Sequence, residues 1–248
     1  MTQISRMTKK VKPYKDSSLN KKEQIEKMFD NISGNYDGLN RVISFGIDVK
    51  WRKKVIEIVK NTQPANVLDI ATGTGDLAIA LAQTNANRIV GLDISEGMLA
   101  IGKKKISDLG LTERIEMVQA DSEAIPFEND SFDAVTVAFG VRNFEHLKKG
   151  LAEIYRVLKP GGIFVVLETS VPVKFPFKQG YMFHTKVILP VIGKLFSKDK
   201  DAYSYLSESA ASFPFGEKFN NILRKTGFKN VKDHPQTFGV ATIYTASK

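Results

Sequence analysis

The run Val67-Leu68-Asp69-Ile70-Ala71-Thr72-Gly73-Thr74-Gly75-Asp76 carries one acid in an apolar stretch, breaks into a glycine turn and reopens on helix-forming residues. Glycine reaches positive φ and lets a ligand lie against the backbone, so the pattern reads as a cofactor-binding elbow between a strand and a helix. Gly73 to Ala78 also fits a loose dinucleotide fingerprint whose last position tolerates alanine. Charge separates the two readings. A pyrophosphate at a helix N-terminus wants positive ends, whereas Asp69 and Asp76 flank this turn with carboxylates. S-adenosylmethionine carries an ammonium, a sulfonium and no phosphate, and it suits the turn better, with Asp69, Gly73 and Gly75 as candidate contacts.

A second acid supports that reading. Asp93 ends the apolar run Arg88-Ile89-Val90-Gly91-Leu92, roughly twenty residues further on, where such folds place a carboxylate to accept from two ribose hydroxyls. Its alternative is an N-cap ahead of Ile94-Ser95-Glu96. Asp121 and Ser122 follow a third apolar run and offer an acceptor and a donor to an adenine edge, or an Asx turn before Pro126.

After the next apolar run comes Ala138-Phe139-Gly140-Val141-Arg142-Asn143. The acid or amide followed by two prolines and an aromatic, which grips an exocyclic amine in many nucleic-acid base methyltransferases, is absent. Arg142 and Asn143 instead offer a cation and an amide, which suits an acceptor developing oxyanion character; a salt bridge and a helix cap are their structural alternatives. His146 begins a helix and is expected to face solvent or cap the turn, and His184 is expected to be structural. Neither has metal-ligand spacing with a carboxylate, so no metal is expected.

The elements that must position these groups follow from periodicity. Helices are predicted near Gln24 to Asn31 and Val49 to Lys60, at Leu77 to Gln83, Glu96 to Leu109 and Leu147 to Leu158. Strands are predicted at Asn66 to Ile70, Arg88 to Asp93, Ile115 to Gln119, Phe132 to Phe139 and Ile163 to Leu167. Lys159-Pro160-Gly161-Gly162 is the stop signal between the last helix and strand. Strand and helix alternating in this rhythm mean an α/β fold with a mainly parallel sheet.

With 248 residues the chain can bury a full core, and one open-sheet domain with a cap is expected. Cysteine is absent, which excludes disulfides, thiolate metal sites and a cysteine nucleophile. Neither a signal peptide nor a long apolar run is visible, so the expected location is the cytoplasm. Part of the net charge of +9 sits in residues 1–22, which include Lys9, Lys10, Lys12, Lys15, Lys21 and Lys22 and read as a flexible basic tail. Residues 23–248 form the expected domain, with N-terminal helices over 23–62. The segment from Val171 to Phe215 reads as a cap inserted in it: Phe175, Phe177, Tyr181, Phe183, Val187, Ile188, Leu189, Val191, Ile192, Leu195 and Phe196 alternate with Lys174, Lys178, Lys186, Lys194 and Lys198. Such a stripe packs on a sheet or lies at a membrane surface.

Tyr36-Asp37-Gly38-Leu39-Asn40, Ser44-Phe45-Gly46-Ile47, Trp51, the Arg142-Asn143 pair, Arg156 through Gly162 and Leu167-Glu168-Thr169-Ser170 together resemble the signatures of the ubiquinone and menaquinone biosynthesis C-methyltransferases. The likeness continues through Tyr203-Ser204-Tyr205-Leu206, Phe213-Pro214 and Gly227-Phe228. The resemblance implies a class I S-adenosylmethionine-dependent methyltransferase fold, Rossmann-like, with a mainly parallel seven-stranded sheet, helices on both faces and a helical cap. It implies methyl transfer to a ring carbon of a polyprenylated quinol, in particular demethylmenaquinol giving menaquinol, with the benzoquinol of the ubiquinone pathway as the alternative acceptor. Matching positions add Thr74 to the donor site beside Asp93, Asp121 and Ser122. The chain departs from the pattern at Asp48, where histidine is usual, at Ala138, where many members have serine, and at Ala210, where isoleucine is common.

An oxidised quinone is electron-poor, so the acceptor should be the hydroquinone, whose ionised hydroxyl pushes density onto the neighbouring carbon. On that chemistry Arg142 stabilises the phenolate, Asn143 orients it, and Tyr36 reaches the same hydroxyl. The expected partners are the quinol, a membrane surface held weakly at the inner face, and a second copy of the chain, with no nucleic acid. An RNA methyltransferase or a nicotinamide oxidoreductase would use the same elbow; the missing amine-gripping motif and the flanking acids argue against them.

Overall fold

A computed structural model describes residues 11–188 and 200–248. Five apolar runs, β1 (Asn66–Ile70), β2 (Arg88–Asp93), β3 (Ile115–Gln119), β4 (Phe132–Ala138) and β5 (Leu158–Thr169), lie side by side as parallel strands. The hairpin β6 (Lys229–Gln236) and β7 (Ala241–Ser247) closes the sheet antiparallel against β5, giving the order β3-β2-β1-β4-β5-β7-β6. The seven-stranded, mainly parallel sheet is the one the resemblance implies.

Successive strand residues feed opposite faces. Val67 joins one cluster with Trp51 and Val55 of α3 (Ile47–Lys60), Leu77 and Leu81 of α4 (Asp76–Leu81) and Leu99 of α5 (Glu96–Asp108). Leu68 and Ile70 join the other, with Leu151 and Ile154 of α6 (Leu147–Val157) and Phe219 of α9 (Glu217–Thr226). Buried on both faces, β1 and β2 carry the continuous apolar runs expected of central parallel strands.

Three segments depart from the pattern read in the sequence. The first helix, α1 (Lys21–Ile32), starts two residues inside the stretch expected as a tail, because Asn20 and Glu23 form a reciprocal capping box. The region Tyr36–Ser44 forms a helix, α2, that Gly38 and Asn40 conceal from any propensity reading. The fifth strand begins at Leu158, ahead of the stop signal: Leu158 pairs with Phe132 and Ile163 with Ala134, so Pro160-Gly161-Gly162 is a bulge within the strand. The cap holds α7 (Phe177–Phe183), a π-turn over His184–Ile188 and α8 (Lys200–Ser212). Leu189, Val191, Ile192, Lys194, Leu195, Phe196 and Lys198 lie outside the described residues, as do Lys9 and Lys10.

Strand β1 is flanked by β2 on one side and β4 on the other, so the chain direction of the crossovers reverses there. Ligands of open parallel sheets bind beyond the strand carboxyl ends at such a switch point. The turns after β1 and β4 hold two non-glycine residues at positive φ, Ala71 at 53° and Phe139 at 58°, and both border the cavities described next. Left-handed backbone of this kind costs ~1 kcal/mol per residue and recurs at functional sites.

Candidate active site

Three neighbouring spaces open at the switch point, and Tyr36 and Phe139 line all of them. The first is a cleft of about 720 Å³, open mouth included, bordered by Gly73, Asp93, Asp121, Ser122, Ala138 and Asn143. Gly73 sits at φ 58°, and its N–H donates to Asp93 Oδ2 at 2.8 Å. The other Asp93 oxygen accepts from the Ser95 amide at 3.0 Å, while Ser95, not Asp93, caps α5 through Met98 N. Burial pushes the Asp93 carboxyl above its ordinary value against the pull of these amides. Its remaining lone pairs point to a use that satisfies a carboxylate, such as a pair of hydroxyls. Asp121 makes the Asx turn, accepting from the Glu123 amide at 2.8 Å, and its other oxygen accepts from Lys22 Nζ at 2.9 Å. Helix α1 thereby roofs the cleft, and Lys21 Nζ fastens it to the carbonyls of Arg142 and Phe144.

The second space is a small chamber beneath the glycine turn, bordered by Arg52, Asp69, Thr74 and Asp76. Asp69 is buried and accepts from Thr72 Oγ1 at 2.7 Å and Thr136 Oγ1 at 2.6 Å. Burial raises its pKa to about 6. Thr74 Oγ1 donates to Asp37 Oδ1 at 2.6 Å, and Lys105 Nζ gathers Asp37, Asp76 and Thr74 at 2.5, 2.8 and 3.0 Å. That lysine ties α2 to the turn. Arg52 is ion-paired with the buried Asp48, which also accepts from Ser44 Oγ at 2.6 Å.

The third space is larger, about 1440 Å³ with its mouth, and mostly apolar: Phe45, Ile47, Trp51, Phe139, Leu206, Ala210 and Val240 line it with Tyr181 and His184. Trp51 Nε1 donates to Thr237 Oγ1 at 2.8 Å and pins α3 to the β6–β7 turn. At its floor Arg142 Nη1 donates to Glu168 Oε1 at 2.5 Å and to the Phe139 carbonyl at 2.7 Å. Glu168 is fully buried, at 0% exposure, and Arg142 nearly so. Burial works against the guanidinium charge, and the Glu168 carboxylate overrides it, holding Arg142 charged above its ordinary value. Burial also raises Tyr36, Tyr181 and Tyr205, so all three stay neutral donors. Tyr205 uses its hydroxyl on Asn143 Oδ1 at 3.2 Å.

A profile of the ubiE/COQ5 methyltransferase family matches residues 17–248. The chain belongs to that family. A ubiE/COQ5 relative from Bacteroides fragilis named demethylmenaquinone methyltransferase is 47% identical over 96% of this chain and 98% of its own. One from Geobacter sulfurreducens named ubiquinone/menaquinone biosynthesis C-methyltransferase UbiE is 46% identical over 92% of this chain and 90% of its own. A solved Methanococcus maripaludis structure, assigned as an S-adenosyl-L-methionine-dependent methyltransferase, superposes with a TM-score of 0.64 at 23% identity over 94% of this chain and 97% of that one. The chain is therefore a methyltransferase with the class I fold, the fold of enzymes that take S-adenosylmethionine as methyl donor. The cleft suits that donor: its turn carries a glycine with no Cβ in the way, and Asp93 at its wall keeps carboxylate lone pairs for ribose hydroxyls.

Against these three spaces the sequence-predicted residues separate. Gly73, Asp93, Asp121, Ser122 and Asn143 border the cleft, Asp69 and Thr74 the chamber beneath it, and Arg142 the apolar chamber, with Tyr36 at the junction. Gly75 borders none of the three; at φ 79° it starts α4 and packs on Met117 and Gly102. The charge argument changes as well. Asp76 is compensated by Lys105, so the feature that disfavours a pyrophosphate is the Gly73 N–H already committed to Asp93. His146 lies at the start of α6 with Nδ1 2.9 Å from the carboxylate of Glu123, which borders the cleft, while His146 itself borders none of the three spaces. His184, expected as structural, borders the apolar chamber. The sequence reading missed Glu168, Arg52 and Lys105. Glu168 was present only inside a family signature, and a charged residue in the last turn of an apolar strand was the available signal.

Among the described residues, no helix is long and apolar enough to cross a membrane, and no group of three or more His, Asp or Glu side chains is placed to hold a metal ion.

Proposed function

We propose that this enzyme methylates a ring carbon of a polyprenylated quinol, converting demethylmenaquinol to menaquinol. The carrying observation is the apolar chamber that meets the donor cleft at Tyr36 and Phe139 and ends on the Arg142–Glu168 pair. The name of the Bacteroides relative supports the naphthoquinol acceptor, and the name of the Geobacter relative supports a second reading in which a benzoquinol is also taken.

S-adenosylmethionine supplies a methyl group of cationic character. Asp93 takes the ribose hydroxyls, Asp121 and Ser122 the adenine edge, and Gly73 gives the close backbone approach. Asp69 and Arg52, which border one chamber, suit an ammonium and a carboxylate at the amino-acid end of the donor. On the acceptor side Arg142 stabilises the phenolate, at a strength that Glu168 moderates. Tyr36, kept protonated by burial, donates to the same oxygen, and Asn143, held by Tyr205 at the border of the donor cleft, orients that oxygen from the cleft side. Apolar walls exclude water and shelter the prenyl chain.

Exposed apolar side chains, Phe45, Phe177, Phe183 and Phe238 on segments that build the apolar chamber and Val173 and Phe175 on the loop leading into α7, form a patch beside it. Phe177 stacks on Phe238 with centroids 3.8 Å apart, and Lys174 and Lys178 are exposed among them. This composition suits shallow insertion in an anionic bilayer, where a prenylated quinol resides.

The test is purified enzyme with methyl-labelled S-adenosylmethionine and each reduced, demethylated quinol presented in vesicles. Label is expected in the naphthoquinol product; label in both supports the dual reading, and label in neither overturns the proposal.

A further inference from the structure

We infer that His184, on the π-turn of the cap, is the general base that takes the proton of the quinol hydroxyl. The inference rests on the quinol reading above and concerns the group that reading leaves unnamed. Removing a phenolic proton at neutral pH needs a side chain that has an unprotonated atom free to accept it there.

Six ionisable side chains border the apolar chamber among the described residues: Tyr36, Asp48, Arg52, Arg142, Tyr181 and His184. The two arginines carry a permanent charge and have nothing to accept with. Both oxygens of Asp48 are engaged, one by Ser44 and one by Arg52. Tyr36 and Tyr181 are kept protonated by burial and donate instead. What remains is an imidazole, a side chain whose ordinary pKa is about 6.5.

Placement agrees with the elimination. His184 follows Tyr181 by three residues, so both lie on one face of the same helical run. Both border the chamber that Tyr36 and Arg142 also border, so that face lines the space where the phenolate would form. Across the chamber Phe45 meets the imidazole ring with centroids 5.6 Å apart. The charged and ionisable groups that share the chamber with it come from α2 and α3 (Tyr36, Asp48, Arg52), from the turn after β4 (Arg142, backed by Glu168) and from its own helix (Tyr181). The α8 side of the chamber contributes Leu206, Ser207 and Ala210, which carry no charge.

In the step, the phenol O–H bond breaks and an N–H bond forms on His184. The ortho ring carbon then bonds to the methyl carbon as the methyl–sulfur bond breaks, its electron pair staying on sulfur. The ring C–H proton leaves to water to restore aromaticity, and the imidazolium returns its proton to the ring oxygen. One proton is released per turnover.

The experiment compares wild type with His184→Gln in three readouts: donor affinity by calorimetry, kcat against pH, and the phenolate absorbance of anaerobically bound quinol without donor. The expected result is unchanged donor affinity, a kcat lower by roughly a hundredfold or more, loss of the acid limb of the pH profile, and loss of the phenolate band. A variant within about fivefold of wild type that keeps the acid limb overturns the proposal while the quinol reading stands. Wild type that methylates neither quinol overturns both. Should His184→Gln lose donor affinity, His184→Ala with added imidazole decides: restored turnover supports the base, and no restoration overturns it.

Discussion

The donor cleft and the acceptor chamber meet at Tyr36 but are built differently. The cleft hangs on the carboxyl ends of β1, β2, β3 and β4, and most groups in it lie within a few residues of those strands, with α1 and Tyr36 closing it over. The chamber is assembled from α2, α3, the turn after β4, the cap helices and the β6–β7 turn, which come from opposite ends of the chain. The cleft is the more polar of the two, its acids anchored to backbone amides; the chamber is mostly apolar and carries the Arg142–Glu168 and Arg52–Asp48 ion pairs in its wall. A sheet edge can be elaborated locally to hold a common donor, whereas an acceptor site needs surfaces only a closed fold brings together.

If the two regions are energetically separate, Glu168→Gln should give the largest effect and give it on one side. It leaves Arg142 charged and uncompensated in the interior, costing about 3 kcal/mol of stability by urea unfolding, with kcat lower by roughly a hundredfold. Donor affinity should hold; an equal loss there would dissolve the distinction. Asp93→Asn is the converse, weakening donor binding by roughly thirtyfold or more through lost charge-assisted hydrogen bonds, ~2 kcal/mol, while quinol partition into the chamber is unchanged. Titration calorimetry checks it.

Paired Phe175→Ser and Phe238→Ser substitutions address only the patch beside the chamber. Binding to anionic vesicles should fall by roughly tenfold, and turnover with a short-chain, water-soluble quinol should stay as it was. Cosedimentation and that assay, run together, separate membrane delivery from chemistry.

The smallest effect belongs to Asp69. Its carboxyl is raised from 3.8 to about 6 by burial, so the protonated form is favoured in the folded state. The stability this contributes is complete below pH ~4 and is lost as pH rises through about 6. Asp69→Asn removes that loss. Its thermal unfolding should be less pH-dependent between about 4 and 7, with ~1 kcal/mol gained at pH 7.5 after relaxation, at the expense of donor binding. An unchanged pH profile would mean that Asp69 is not strained by its burial.

The sequence by itself determined the five parallel strands, the elbow and the strand-end positions of Asp93, Asp121 and Arg142, because apolar periodicity and chain-breaking residues act over a few residues. It also determined the family, through blocks that recur along the whole chain. Tertiary structure decided the rest. Helix α2 is weak in propensity and exists because Asp37 is held by Lys105 and Thr74. Lys21 and Lys22 belong to the site, not to a tail, because α1 folds over the cleft onto Asp121 and the Phe144 carbonyl. Arg142 acquires Glu168 as its counter-ion from the neighbouring strand, and His184, expected as structural, borders the apolar chamber. These pairings join residues far apart in the chain, and their energies depend on burial and on distances that only the closed fold sets.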